Sequence, residues 1–169
     1  RMLAQGSSEG AAASAIAAPA AVAPPPECPA SQGQAPQSAG AVLGEMGLTY
    51  DAYQYHFQTP HLLDLARAFP GTTIVLDHLG TPLGVGPYAE RREEIFREWA
   101  KGIADLATCE NVVVKLGGLA MPWNGFGFES GQRPPTSDEF VLAQRRYYDH
   151  AIECFGADRC MFESNFPVD

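Results

Sequence analysis

From Leu43 onward the apolar residues of this chain recur with two different periods, and each change of period marks a new element. Leu48–Tyr55 alternates and is rich in β-formers, which predicts a strand. Thr59 and Pro60 then open a helix, since Thr caps N-termini and Pro suits the first turn. Leu62, Leu63, Leu65, Ala66 and Phe69 give that helix one apolar face, and Pro70-Gly71 stops it. Thr72–Leu76 is short and apolar, the pattern of a buried parallel strand. A Gly/Pro-rich loop over Gly80–Pro87 leads into an amphipathic helix from about Ala89 to Thr108, with Ile95, Trp99, Ile103, Leu106 and Ala107 as its buried stripe. Asn111–Leu116 reads as the third strand and Gly117–Pro135 as a long irregular loop. Ser137-Asp138-Glu139 reads as the cap of a helix reaching about Phe155, and Arg159–Glu163 as the fourth strand.

Short apolar strands alternating with amphipathic helices predict an α/β fold with parallel strands. A flavodoxin-like sheet and half of a (β/α)8 barrel both fit this order. Residues 1–42 follow neither period. They are rich in Ala and Pro, hold no aromatic residue, and carry only Arg1, Glu9 and Glu27 as charges. Such a stretch buries too little surface to offset its ordering entropy, so a disordered low-complexity tail is expected, with polyproline character at Pro24–Pro26. A signal peptide is the competing reading of Ala11–Ala23, but a Leu/Val-rich stretch is missing and Glu9 lies close by. The expected organisation is therefore a tail over 1–42 and a partial domain over 43–169.

Composition narrows the function classes. The chain has 169 residues, 46% of them hydrophobic and 18% charged, which suffices for one packed domain. Its net charge of -9 repels nucleic-acid phosphates and anionic membranes, so neither is expected as a partner. No apolar run approaches the roughly 18 residues of a membrane span. Cys28, Cys109, Cys154 and Cys160 form no Cys-x-x-Cys pair and have no His at zinc-finger spacing, as expected of thiols in a reducing, cytoplasmic compartment. A first residue Arg1 and an end at Asp169, directly after a strand, are expected of a fragment.

Chemistry in parallel α/β folds sits at the carboxyl ends of the strands. Each strand here ends on something polar or glycine-rich: Tyr55-His56, Asp77-His78, Lys115 with Gly117-Gly118, and Glu163-Ser164-Asn165. His78 is the foremost candidate, because an imidazole just past a buried strand can bind a metal, polarise a carbonyl or move a proton. A structural histidine bonded to a loop carbonyl is the plainer alternative. Tyr55 and His56 are the candidates for contacting substrate, and His56 reads as readily as a packed histidine. Glu163 and Asn165 share strand parity and are expected to point the same way, unless Glu163 pairs with Arg159 or Lys115. Lys115 itself is expected to be structural, as are His61 and His150.

Read together, Gly47–Asp51, Tyr55-His56, Ile74–Pro82, Asn111–Gly118 and Arg159–Pro167 resemble the amidohydrolase-related family, predicted metal-dependent TIM-barrel hydrolases, in its sugar-lactonase and dicarboxylate-lactonase branch. Coverage runs from about Leu43 to the end, so the resemblance implies the C-terminal half of a (β/α)8 TIM barrel, parallel strands 5–8, preceded by the Ala/Pro-rich tail. It implies His78 as the catalytic histidine of strand 6, and a small-molecule substrate with a lactone or similar carbonyl. The strand-8 position holds an Asp in the family, thought to activate water. Here that slot is Asn165, and an amide does not accept the proton at neutral pH. Glu163, two residues before, and Asp169, four after, are the carboxylates that could stand in. The resemblance leaves the metal open: some relatives use a divalent metal, here zinc or manganese with His78 as a ligand, and some lactonases of this branch work without one; the His-x-His pair of the first strand does not occur here. Three further readings accompany the hydrolase: a non-catalytic remnant or binding module, a metal-dependent decarboxylase, and a homodimer in which two half-barrels close on each other.

Overall fold

A computed structural model describes residues 35–168. Its elements run α1 (Ala35–Glu45), β1 (Tyr50–Ala52), α2 (Thr59–Ala68), β2 (Ile74–Leu76), α3 (Arg92–Ala107), β3 (Val112–Leu116), α4 (Ser137–Phe155) and β4 (Cys160–Phe162). The strands form one parallel sheet in the order β1-β2-β3-β4, with Ala52 beside Leu76, Leu76 beside Val114, and Val114 beside Cys160. A flavodoxin-like sheet reverses its order at a switch point; this one advances strand by strand.

Strand parity sets the core. Ala52, Ile74, Leu76, Val112 and Val114 face the helices and are buried with Leu62 and Ala66 of α2, Trp99, Ile103 and Leu106 of α3, and Tyr147, Ala151 and Phe155 of α4. Trp99 and Tyr147 pack with ring centroids 5.0 Å apart and lock α3 to α4. The opposite parity carries Asp51, Asp77, Lys115 and Glu163, so the second face of the sheet is where the polar groups lie.

Several expectations change in detail. β1 is three residues long rather than eight, because it pairs only with Ile74–Leu76 before the chain turns at His56–Gln58. The cap of α4 is Thr136, one residue before the expected Ser137-Asp138-Glu139: its hydroxyl accepts the Glu139 amide at 3.3 Å, and the Glu139 carboxylate accepts the Thr136 amide at 2.8 Å. The expectation of a disordered tail lies outside the described residues for 1–34, but Ala35–Glu45, which it partly covered, is helical. α1 packs through close approach rather than an apolar stripe. A Cβ on Gly40 would sit 2.8 Å from the Phe69 ring, and the Thr72 hydroxyl donates to the Gly40 carbonyl at 2.8 Å.

Candidate active site

Because all four strands run the same way, the residues after them gather at one end of the sheet. β2 delivers Asp77 and His78. His78 (φ 52°), Leu79 (φ 53°), Gly80 (φ 66°) and Thr81 (φ 40°) are four consecutive left-handed residues, three of them not glycine. Each non-glycine costs of order 1–3 kcal/mol and persists only where the surroundings hold it. Here Leu79 is fully buried, its carbonyl accepts the Trp99 indole N–H at 2.6 Å, and the Thr81 amide donates to the His78 carbonyl at 2.9 Å.

The result is a close pair. His78 Nδ1 lies 2.8 Å from Glu163 Oε2, with about a fifth or less of either side chain exposed. Gly117-Gly118, just past β3, makes the seat. A Cβ on Gly118 would fall 2.6 Å from His78 Cβ, and one on Gly117 would fall 2.8 Å from Glu163 Cβ, so only glycine lets both side chains approach. The Gly118 carbonyl is tied to the buried Asn124 side chain at 2.7 Å. A carboxylate on one ring nitrogen fixes the tautomer and steadies the imidazolium, and leaves the other nitrogen to take or give a proton.

Lys115 lies on the same face. Its Nζ is 2.6 Å from Asp77 Oδ1, an ion pair without the alignment of a directed hydrogen bond, and 3.2 Å from Asp51 Oδ1. Asp77 foremost, then Asp51, holds the ammonium above its usual pKa, so Lys115 stays charged and braces three strands. Neither partner suggested for Glu163 takes it. Arg159 donates instead to the carbonyls of Phe155, Ala107 and Cys109.

The other candidates lie elsewhere or further out. His56 is 5% exposed and packs edge-on against Phe57 and Tyr88, with Leu83 and Glu98 as its polar neighbours. Tyr55 stands between Phe57 and Tyr53, and Tyr53 meets the His78 ring edge-on at 5.3 Å. β4 ends at Phe162 and Asn165 is left-handed (φ 51°), so strand alternation does not carry from Glu163 to Asn165. Asp169 lies outside the described residues. His61 is exposed, and His150 Nε2 bonds the Ala100 carbonyl at 2.9 Å, joining α4 to α3. Tyr53 was not singled out from the sequence. Its signal is position: it is the first residue past β1 and shares parity with Asp51.

A catalytic zinc takes three protein ligands. No group of three or more His, Cys, Asp or Glu side chains able to hold a metal occurs among the described residues. His78 and Glu163 alone fall short of such a set. Away from this end, an apolar cavity of about 220 Å³ opens among Ala39, Leu43, Tyr50, Leu65 and Phe69, with no titrating side chain except the Tyr50 phenol. Cys109, Cys154 and Cys160 are free thiols, and no described helix is long and apolar enough to cross a membrane.

The amidohydrolase family model matches residues 21–169. An uncharacterised protein, y4mH, of Sinorhizobium fredii is 39% identical over 128 residues, covering 75% of this chain and 36% of its own length. An L-fucono-1,5-lactonase of Burkholderia ambifaria is 33% identical over 121 residues, covering 72% of this chain and 35% of its own. Among solved structures, an amidohydrolase of Burkholderia multivorans with bound HEPES superposes with a TM-score of 0.65 at 26% identity, covering 78% of this chain and 43% of that one; a second crystal form of it holds zinc. The chain thus spans about a third of the length of the curated relatives it matches.

Proposed function

Since the chain belongs to the amidohydrolase family, we propose that it forms the C-terminal half of a (β/α)8 hydrolase barrel that opens a lactone or a similar carbonyl compound by attack of water. The observation that carries this reading is the His78–Glu163 pair, 2.8 Å apart across a glycine seat, at the carboxyl ends of β2 and β4, the parallel strands on either side of β3. In the proposal Glu163 holds Nδ1, and Nε2 of His78 exchanges a proton with the water or the opening ring oxygen. Asn165 cannot accept the water's proton, so in the proposal His78 takes that proton and Glu163 steadies the resulting imidazolium. Tyr55 and Tyr53 line the mouth where the substrate ring would enter. The metal site, if the whole barrel has one, needs ligands beyond His78 and Glu163, so no step is routed through it. The lactonase relatives support lactone hydrolysis over decarboxylation.

The test is a chimera. Residues 35–168 replace the matching half of the Burkholderia ambifaria lactonase, and the product is assayed with L-fucono-1,5-lactone and other aldonolactones, with and without zinc or manganese. Turnover by the chimera supports the reading. A folded chimera that hydrolyses none of them contradicts it and favours the remnant.

A further inference from the structure

The left-handed segment that carries His78 needs an outside hold, and His56 supplies it at two points. The His56 backbone amide donates to the Thr81 carbonyl at 3.3 Å, and the Leu83 amide donates to His56 Nδ1 at 3.3 Å. The imidazole is buried between the Phe57 and Tyr88 rings, at centroid distances of 5.7 and 5.4 Å. Its Nε2 faces Glu98 of α3 at 3.8 Å. Together with the Trp99 bond to Leu79, these contacts secure the loop on the far side of His78 from β2.

We propose that neutral His56 is a positioning residue, a clamp whose Nδ1 lone pair fixes the Leu83 end of the loop and thereby sets the left-handed turn that presents His78 to Glu163. The proposal rests on the reading of His78 as the reacting histidine, and it moves His56 from substrate contact to loop support. Tautomer chemistry gives the clamp a direction. Accepting the Leu83 amide requires Nδ1 to be unprotonated, so the ring proton sits on Nε2, toward Glu98. An imidazolium has two N–H donors and no acceptor, so protonation turns the Nδ1–Leu83 bond into donor against donor. The charged and titratable groups facing the ring are Glu98 of α3, which favours the charged form, Arg91 just before α3, which opposes it, and the Tyr88 phenol. Burial, the largest cause, outweighs Glu98 and the Thr81 backbone carbonyl and lowers the His56 pKa below its ordinary value near 6.5. The clamp is therefore closed at neutral pH and opens only in acid.

The experiment reads amide exchange and histidine resonances by NMR in the ¹⁵N-labelled chain. In the wild type, Leu83 protection should fall as His56 itself titrates below pH 6.5, and the His78 ring signals should move with it. His56→Phe keeps the packing but removes the acceptor; Leu83 exchange should then speed up about tenfold, the worth of one hydrogen bond, and lose its pH dependence. His56→Asn places an amide oxygen near Nδ1 and should restore protection. If Leu83 protection and His78 signals are the same in wild type and His56→Phe, the clamp is wrong. Should His56→Phe fail to fold, the wild-type titration decides: His56 titrating with Leu83 protection unchanged overturns the proposal. Neither readout needs turnover, so a clamp that holds in a chimera without lactonase activity would count against the hydrolase alone.

Discussion

At the residue scale the geometry of the site turns on how closely His78, Glu163 and Gly118 fit. Replacing Gly118 with Ala asks for a φ of 76° that side chains rarely adopt, and brings Cβ to 2.6 Å from His78. Gly118→Ala should displace the imidazole, seen as a shift of the His78 ring resonances, while stability falls by only about 1–3 kcal/mol in urea titrations. An unshifted ring would mean the seat is not needed. The residue types at this end were readable from the sequence: a His past a buried strand and an acid past the fourth. Their pairing was not. Glu163 finds His78 because Arg159, four residues upstream, turns to carbonyls of the chain instead, and nothing in a one-dimensional pattern says which way a guanidinium turns. Tyr53 escaped notice for a related reason. Its neighbour Tyr55 has the same chemistry, and only the early end of β1 makes Tyr53 the one beside His78.

At the element scale, α3 supports the site from behind. The Trp99 ring fills the core while its N–H holds Leu79. Trp99→Phe should retain most of the packing but free the Leu79 carbonyl, lowering stability by about 1–3 kcal/mol and speeding amide exchange across Leu79–Leu83. Stability unchanged within about half a kcal/mol would place the loop's hold elsewhere. The capping box of α4 is a more local device: Thr136→Ala should cost about 1 kcal/mol and leave the His78 signals where they are. Helices α2, α3 and α4 were legible because their apolar stripes bury against one sheet face. α1 was hidden because its contacts run through Gly40 and Gly44, where the missing side chain is what allows packing.

At the scale of the whole molecule, β1 and β4 each pair on one side only among the described residues. Phe162 at the end of β4 is 87% exposed, and Phe166 beyond it 85%. Unpaired strand edges and uncovered apolar rings drive association. The chain by itself is therefore expected to self-associate, and analytical ultracentrifugation should show a dimer or larger species; a stable monomer at tens of micromolar would contradict that. Sequential strand order now favours a barrel-like winding over the flavodoxin alternative, a distinction that periodicity could not make because both arrangements bury the same faces.

In the proposed hydrolase His78, held by Glu163, does the chemistry. Its most direct test is kcat/KM for lactone hydrolysis by the chimeric barrel bearing His78→Ala, beside the parent chimera, with the fold checked by circular dichroism. Loss of one positioned proton-transfer group should lower kcat/KM by about 10² to 10⁴ with the spectrum unchanged. A folded His78→Ala chimera that hydrolyses the lactone at close to the parent rate would contradict the account.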